Sequence, residues 1–351
     1  MLAVGTNGTA IMAALPTMRA ELSLSSAGVQ WAVNAYLVVS AACIVLGGRA
    51  ADRFGARLAS IVGLALFGAA SCIIATAGTQ TELLAGRALQ GFAAALAVPG
   101  TLAAVDTSAA PERRGAAVGA WTGFLMLGFS TGPLIGGALT HVLSWRAIFW
   151  LNVLLMVAAI AGMASAGSAT ARADRTQGRR ADWTGFVLLA TFMVSLVFGL
   201  HGLPHVGAAP FPVVGPFVLA AAAFVLLLIV ESRAETPLVD LSFFTRRGFV
   251  MGVTVGSLSM FSIMSLLLYF NLYAQSREGL GLTALEAGVS LLPLSAARLA
   301  LALSASAVAA RVGLRNAMTG GMALIAIASA VISIAIAGGG MVLLTIGFVV
   351  M

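Results

Sequence analysis

Apolar residues in this chain gather into blocks of about 18 to 24 with almost no charge inside them, and this feature constrains the fold most. A helix rises about 1.5 Å per residue, so each block is long enough to cross a hydrocarbon core of about 30 Å. An ordinary soluble domain carries roughly a quarter of its residues as Asp, Glu, Lys and Arg. Here they make up 9%, against 60% hydrophobic residues over 351 positions. The chain therefore reads as an all-α, polytopic membrane protein whose first partner is the lipid bilayer. Charged, Gly and Pro breaks divide it into spans at 1–16, 30–48, 59–77, 83–105, 116–139, 147–166, 184–202, 212–230, 250–274, 286–308, 316–337 and 341–351.

The 19 basic residues are all arginine, against 12 Asp+Glu, for a net charge of +7. Without lysine the chain has neither the phosphate-binding residue of a Walker A loop nor the amine of a Schiff-base enzyme. Any energy source is then expected to be an ion gradient or a partner's ATPase. The arginines sit in short loops rather than on one polar face, which argues against nucleic acid. If the first span runs outward, the cytoplasmic loops hold Arg49, Arg53, Arg57, Arg113, Arg114, Arg172, Arg175, Arg179, Arg180, Arg233, Arg246, Arg247, Arg311 and Arg315, and the opposite loops only Arg19, Arg146 and Arg277. That bias sets the orientation by the positive-inside rule. Arg87 and Arg298 remain within the membrane. Cys43 and Cys72 lie inside spans, where free Cys behaves as a small hydrophobe.

The loop after the second span reads Gly48-Arg49-Ala50-Ala51-Asp52-Arg53-Phe54-Gly55-Ala56-Arg57-Leu58. Asp52 is expected near the start of the third helix, where a carboxylate meets the positive helix end, with Arg53 and Arg57 paired across a tight turn at Gly55. Its Arg-x-Gly-x-Arg core recurs as Arg311-Val312-Gly313-Leu314-Arg315 after the tenth span. That echo suggests two related halves separated by an additional pair of spans.

In the fourth span, Arg87-Ala88-Leu89-Gln90-Gly91 puts a charge inside the membrane, which is costly unless the charge is paired or reaches water. Two readings stand: Arg87 snorkels to the outer end, or it faces a cavity where it senses protonation or orders helix contacts. The fifth span carries Gly128, Gly132 and Gly136 every fourth residue, with Pro133 and Gly137 among them. Such glycines form a flat stripe on one helix face, and Pro133 bends the helix beside it, as at a moving seam between closely packed helices. A phosphate loop is excluded, because no strand precedes the segment.

These segments resemble a known family. The Asp52 loop looks like the major facilitator signature Gly-x-Leu-Ala-Asp-Arg-x-Gly-Arg-Lys, with Ala56 departing at the first of the final basic pair. The run Gly128 to Gly137 resembles the antiporter motif of proton-driven drug exporters. Gln30-Trp31 with Tyr36, Ser144-Trp145-Arg146 with Phe149 and Asn152, and Pro237-Leu238 with Asp240-Leu241 and Phe244 resemble the fourteen-helix drug:proton antiporter family of the major facilitator superfamily. The resemblance covers essentially the whole chain. It implies two pseudo-symmetric helix bundles with an additional central helix pair: an amino-terminal six-helix bundle at 1–166, an additional hairpin with cytoplasmic linkers at 167–249, and an incomplete carboxy-terminal bundle at 250–351. On this reading the fold is truncated at both ends, since Met1 opens directly on an apolar run with no basic leader or cleavage signal, and about two and a half helices are missing at the other end. It further implies drug or antibiotic efflux at the plasma or inner membrane, with Gly48, Asp52, Arg53, Gly55, Arg57, Gly128, Gly132, Pro133, Gly136 and Gly137 in gating.

One departure bears on coupling. The family's first helix usually carries an acid in a stretch like Leu-Asp-x-Thr-Ile-Val-Asn-Val-Ala-Leu-Pro, and aligning on Ala14-Leu15-Pro16 puts Asn7 there. Asparagine does not titrate, and no Asp or Glu lies well inside any span; Glu82, Glu231 and Glu286 sit at span ends. Asn7, Arg87 and Gln90 are the coupling candidates. For a substrate cavity, Tyr269, Asn271, Tyr273 and Gln275 crowd the ninth span and Asn34 and Tyr36 lie in the second, with Arg298 as a cation of open role. Interfacial anchoring competes for the tyrosines. Met126, Met193, Met260 and Met264 read as apolar filler.

These readings converge on a secondary active exporter of amphipathic or aromatic small molecules, working by alternating access on a proton gradient. Two alternatives stay open: a gradient-independent facilitator, motivated by Asn7, and a non-transporting scaffold or sensor, motivated by the short carboxyl end. An enzyme is disfavoured, because no Ser/His/Asp order or His-Glu-x-x-His motif occurs. His141, His201 and His205, without nearby acids, make no metal site, and no cofactor is expected.

Overall fold

The computed structural model describes residues 1–165, 183–203, 211–234, 241–276, 279–336 and 340–351. Arg172, Arg175, Arg179, Arg180, His205, Pro237, Leu238, Asp240 and Arg277, named above, lie outside the described residues. The elements are helical throughout: α1 (Leu2–Glu21), α2 (Ser26–Phe54), α3 (Ala56–Ala75), α4 (Gln80–Ser108), α5 (Arg114–Val142), α6 (Arg146–Ser165), α7 (Trp183–Gly202), α8 (Phe211–Arg233), α9 (Arg247–Gln275), α10 (Ala284–Ser290), α11 (Leu292–Val312), α12 (Leu314–Ile334) and α13 (Gly340–Val350). Among the described residues, α2 through α9 and α12 are long and apolar enough to cross a membrane.

Local chemistry sets several boundaries. At the start of α4, Thr79 accepts from the Glu82 N–H and the Glu82 side chain accepts from the Thr79 N–H, a reciprocal cap that satisfies donors a helix otherwise leaves open. Thr283 and Glu286 repeat the arrangement at α10. The apolar block 286–308 is not one helix. Pro293 has no N–H to bond the carbonyl of Val289, and the helix breaks at Leu291 between α10 and α11.

Helix α1 has the length of a span, but Thr6, Asn7, Gly8 and Thr9 dilute its apolar character. Yet every residue from Ala3 to Leu15 is buried. A helix walled by protein meets little lipid, so its polar side chains escape the hydrocarbon penalty. The outer faces of other helices show the converse: Leu154 and Val157 on α6, Val218 and Val225 on α8 and Phe261 on α9 are exposed. Apolar surface on that scale would drive aggregation in water, and lipid is its natural solvent.

The chain divides into two compact units. One comprises Met1–Val29, Gly119–Asn152 and Arg247–Met351, and the other Gln30–Val118 and Val153–Arg246. In the first, α1 packs on α5 and α9, α5 continues onto α10, and α13 packs on α11 and α12. In the second, α3 and α4 pair closely, as do α7 and α8. Phe192 of α7 meets Phe224 of α8 with ring centroids 5.0 Å apart, and Trp31 of α2 meets Phe198 of α7 at 4.8 Å.

Candidate functional site

In the first unit, α1 and α5 touch backbone to backbone. A Cβ added at Gly128 would lie 2.2 Å from the Leu2 carbonyl oxygen, and one at Gly136 would lie 2.4 Å from that of Ala10. Both are far inside contact distance, so only hydrogen fits, and Gly5 reciprocates against the Leu125 carbonyl oxygen at 2.2 Å. The four-residue glycine spacing is thus a helix-contact face. Pro133, within the stripe, lacks the N–H that would bond Phe129 four residues earlier. The Thr9 hydroxyl supplies that bond from α1, donating to the Phe129 oxygen at 2.9 Å. Nothing in the sequence pairs Thr9 with Pro133, although a proline inside a span signals that some neighbour must serve the freed carbonyl.

Beside this seam, the Asn152 Nδ2 donates to the Asn7 Oδ1 at 2.8 Å, with both side chains buried. A neutral amide pair therefore occupies the place where the resemblance expects an acid. On α9 the Gln275 Nε2 donates to the Ala13 oxygen of α1 at 3.1 Å. Asn271, one turn earlier, is fully buried; its Nδ2 bonds the Leu267 oxygen and its Oδ1 has no hydrogen-bond partner among the described residues. Tyr269 is 69% exposed. Two residues apart on a helix point to different faces, so the structure does not bring Tyr269 to Asn271.

The outer half of α5 lies on α10 and α11. Gly137 sits against the Ala284 backbone and Gly288 against the backbone of Pro133 and Leu134, a reciprocal close approach. One turn inward, the Ser295 hydroxyl donates to the Ser130 oxygen. Arg298 follows Ser295 by three residues and is half-buried.

The second unit holds the other intramembrane charge. Arg87 is fully buried, so the structure decides against snorkelling. Its Nε donates to the Ala32 oxygen at 2.8 Å, its Nη1 to the Gln90 Oε1 at 2.6 Å, and its guanidinium lies 4.6 Å from the centre of the Tyr36 ring. Gln90 passes the chain on to the Ser71 Oγ at 2.8 Å, and Ser71 donates to the Phe67 oxygen. Nη2 has no hydrogen-bond partner among the described residues. Tyr36 is thus committed to Arg87, and Asn34, half-buried, stands two residues away on another face of α2. A hydrogen bond to such a charged group is typically worth about 1.5–3 kcal/mol.

At the turn between α2 and α3, one expectation is corrected. Asp52 does not open the third helix. Helix α2 runs on through Phe54, so Asp52 occupies its last turn, and α3 starts after Gly55 at φ 95°, ψ 140°. Nor do Arg53 and Arg57 pair across the turn. The Arg53 guanidinium lies 5.6 Å from the Phe54 ring centre, and Arg57 donates to the Met163 and Ala164 oxygens at 3.0 and 3.3 Å. Those are carbonyls at the end of α6, where a cation meets the negative pole of a helix. Asp52 lines a cavity of about 480 Å³ with Gly48, Pro99, Leu102 and Asp106 among its walls. Asp106 also pairs with Arg114 at 3.4 Å.

Outside the apolar stretch of α1, a clasp that sequence reading missed ties its end to α6. The Glu21 carboxylate accepts from the Trp145 Nε1 at 2.6 Å and pairs with Arg146, whose guanidinium also lies 4.3 Å from the Trp145 ring centre. The Arg146 and then the Trp145 hydrogen bonds hold the Glu21 carboxyl below its ordinary value. The Trp145-Arg146 pair was visible as a motif; its acidic partner was not.

Helices of membrane-spanning length, polar layers enclosed within them and lipid-suited outer faces define a multi-pass α-helical membrane protein. A family model described as the Major Facilitator Superfamily matches residues 1–351, and the chain belongs to that family. The Tetracenomycin C resistance and export protein of Streptomyces glaucescens is 32% identical over 327 residues, covering 93% of this chain and 60% of that protein. The Methylenomycin A resistance protein of Bacillus subtilis is 33% identical over 291 residues, covering 82% and 61%. This chain thus spans about 60% of the length of these relatives. The fold is similar to that of the xylose transporter XylE from E. coli in a partially occluded inward-open conformation, with a TM-score of 0.61, 15% identity and coverage of 99% of this chain and 80% of that one.

Proposed function

We propose that the chain is a secondary active exporter of amphipathic or aromatic small molecules, of the fourteen-helix drug:proton antiporter type, working by alternating access on a proton gradient. The observation that carries this reading is the α1–α5 seam, where Gly5, Gly128, Gly132 and Gly136 let two backbones meet without interlocking side chains beside the buried Asn7–Asn152 pair. Contacts between smooth faces part and re-form at little steric cost, as alternating access requires. The relatives named for resistance to and export of tetracenomycin C and resistance to methylenomycin A support the substrate class. Asn271, Gln275 and Arg298 are the substrate-contacting residues in this reading. Gly48, Asp52, Arg53, Gly55 and Arg57 act at the cytoplasmic gate, and Arg87 with Gln90 orders the second unit.

The neutral Asn7–Asn152 pair favours a second reading, a facilitator that needs no proton gradient. Flux of fluorescent aromatic dyes in proteoliposomes separates the two. Coupled export predicts that dye flux slows when a protonophore collapses an imposed pH gradient. Unchanged flux selects the facilitator, and binding without flux selects a non-transporting scaffold.

A further inference from the structure

Within residues 1–351 two arginines lie inside the spans, and every acid lies outside the apolar blocks or at their ends. Both are positive, but they are not equivalent. Arg87 is enclosed and bonded to Ala32 and Gln90 beneath the Tyr36 ring. Arg298 keeps part of its surface open and makes no hydrogen bond or ion pair among the described residues.

The depth of Arg298 follows from its neighbours. Gly137 meets Ala284, Pro133 meets Gly288 and Ser130 meets Ser295, so α5 runs antiparallel to α10 and α11. One further turn puts Arg298 level with Met126 and Leu127, near the middle of α5, which spans 114–142. A guanidinium that deep is too far in to reach the outer interface readily, and it is costly unless water or a counter-ion meets it. Residues 1–351 place no carboxylate well inside a span to do so.

We propose that Arg298 makes this an anion-selective site: within the transport reading above, on which the inference rests, the substrates are aromatic or amphipathic organic anions carrying a carboxylate or phenolate. An organic cation would meet an uncompensated like charge, whereas an anion supplies the missing partner and can engage the guanidinium through two parallel hydrogen bonds.

Two xanthene dyes of similar ring system and opposite charge test this. Fluorescein and rhodamine 6G are titrated against the chain in phosphatidylcholine nanodiscs, where no lipid bears a net negative charge, and binding is read by fluorescence anisotropy. Fluorescein should bind at least about tenfold more tightly. Arg298→Gln should abolish that preference and Arg298→Lys should keep most of it. Equal or tighter binding of rhodamine 6G, or a preference that survives Arg298→Gln, overturns the proposal. Should Arg298→Gln fail to fold, competition on the unaltered chain decides: benzoate but not benzylamine should displace fluorescein, and the reverse order overturns the proposal. Fluorescein flux in proteoliposomes reads transport separately. An anion preference without flux sustains the charge assignment and sinks the exporter, while flux blind to dye charge does the opposite.

Discussion

The Asn152 side-chain amide donates to the Asn7 side-chain oxygen at 2.8 Å across α6 and α1, and neither residue is exposed to solvent. The bond joins residues 145 positions apart. It fills with a neutral pair the place where a titrating acid is expected on resemblance.

Asn7 can therefore be probed in two directions. Asn7→Leu leaves the Asn152 Nδ2 without this acceptor, and a buried donor so stranded costs about 1–3 kcal/mol. A lowered Tm of the detergent-solubilised chain is the expected result. Asn7→Asp keeps the acceptor and adds a titrating group, so dye flux should gain dependence on an imposed pH gradient. Flux with unchanged pH dependence would remove Asn7 from the coupling machinery.

Thr9 and Pro133 form a testable couple through Phe129. Thr9→Val should cost about 0.5–1.5 kcal/mol by leaving the Phe129 carbonyl unserved. In a Pro133→Ala background the restored Ala N–H can bond that carbonyl within the helix, and Thr9→Val should cost less. Denaturant unfolding of the four chains measures the coupling; strictly additive effects would mean Thr9 does not replace the lost helix bond.

The glycines of α5 divide by position. Alanine at Gly132 or Gly136 meets the Thr9 Oγ1 at 2.0 Å or the Ala10 oxygen at 2.4 Å, so each should destabilise by about 1–3 kcal/mol. Gly119 has nothing within 4 Å. Gly119→Ala should be neutral or stabilise by up to about 1 kcal/mol through helix propensity. Thermal unfolding that ranks Gly119→Ala with the other two would contradict the seam.

Gly55 and Gly313 share one backbone conformation, at φ 95°, ψ 140° and φ 82°, ψ 146°, each between one helix end and the next helix start. That region is open almost only to glycine, and a residue with a Cβ pays about 1–3 kcal/mol there. Neither glycine has a steric neighbour within 4 Å. Gly55→Ala and Gly313→Ala should thus lower Tm by backbone strain alone, and by similar amounts.

The outer clasp gives a pH dependence with a definite sign. Because its partners depress the Glu21 carboxyl, the clasp stabilises the fold fully above the ordinary value of 4.5 and loses that contribution as pH falls through the lower folded value. Glu21 is largely exposed, so the effect is small. Comparing Tm below pH 4.5 for the unaltered chain and Glu21→Gln measures it. The chain with Glu21 should lose more stability on acidification, and parallel curves would exclude the clasp as the cause.

Much of the fold was legible in the sequence because its signals are local. Block length and charge placed the helices, and α12 and α13 fall close to where the apolar blocks predict. Where the reading slipped, local and tertiary terms competed. Asp52 was expected to open a helix, but α2 pays little to extend through Phe54 when a glycine turn follows immediately. Tyr36 and Tyr269 carry the same phenol, yet packing buries the first under Arg87 and leaves the second exposed. Residue type alone cannot separate them.

By itself the sequence determined which segments are helices of membrane length, which loops carry the arginines, that α5 presents a glycine face, and that the spans contain basic charges and no acids. These follow from transfer free energy and helical periodicity, which a segment possesses before it meets any neighbour. Only the tertiary structure decided that Thr9 serves the carbonyl freed by Pro133, that Asn152 answers Asn7, that Gln90 and Ala32 hold Arg87, and that Glu21 closes on Trp145 and Arg146. Except for the Arg87–Gln90 turn, these partners lie 55 to 145 residues apart. A polar group inside a membrane must find a partner wherever packing delivers one, and no spacing rule along the chain encodes which helix that is.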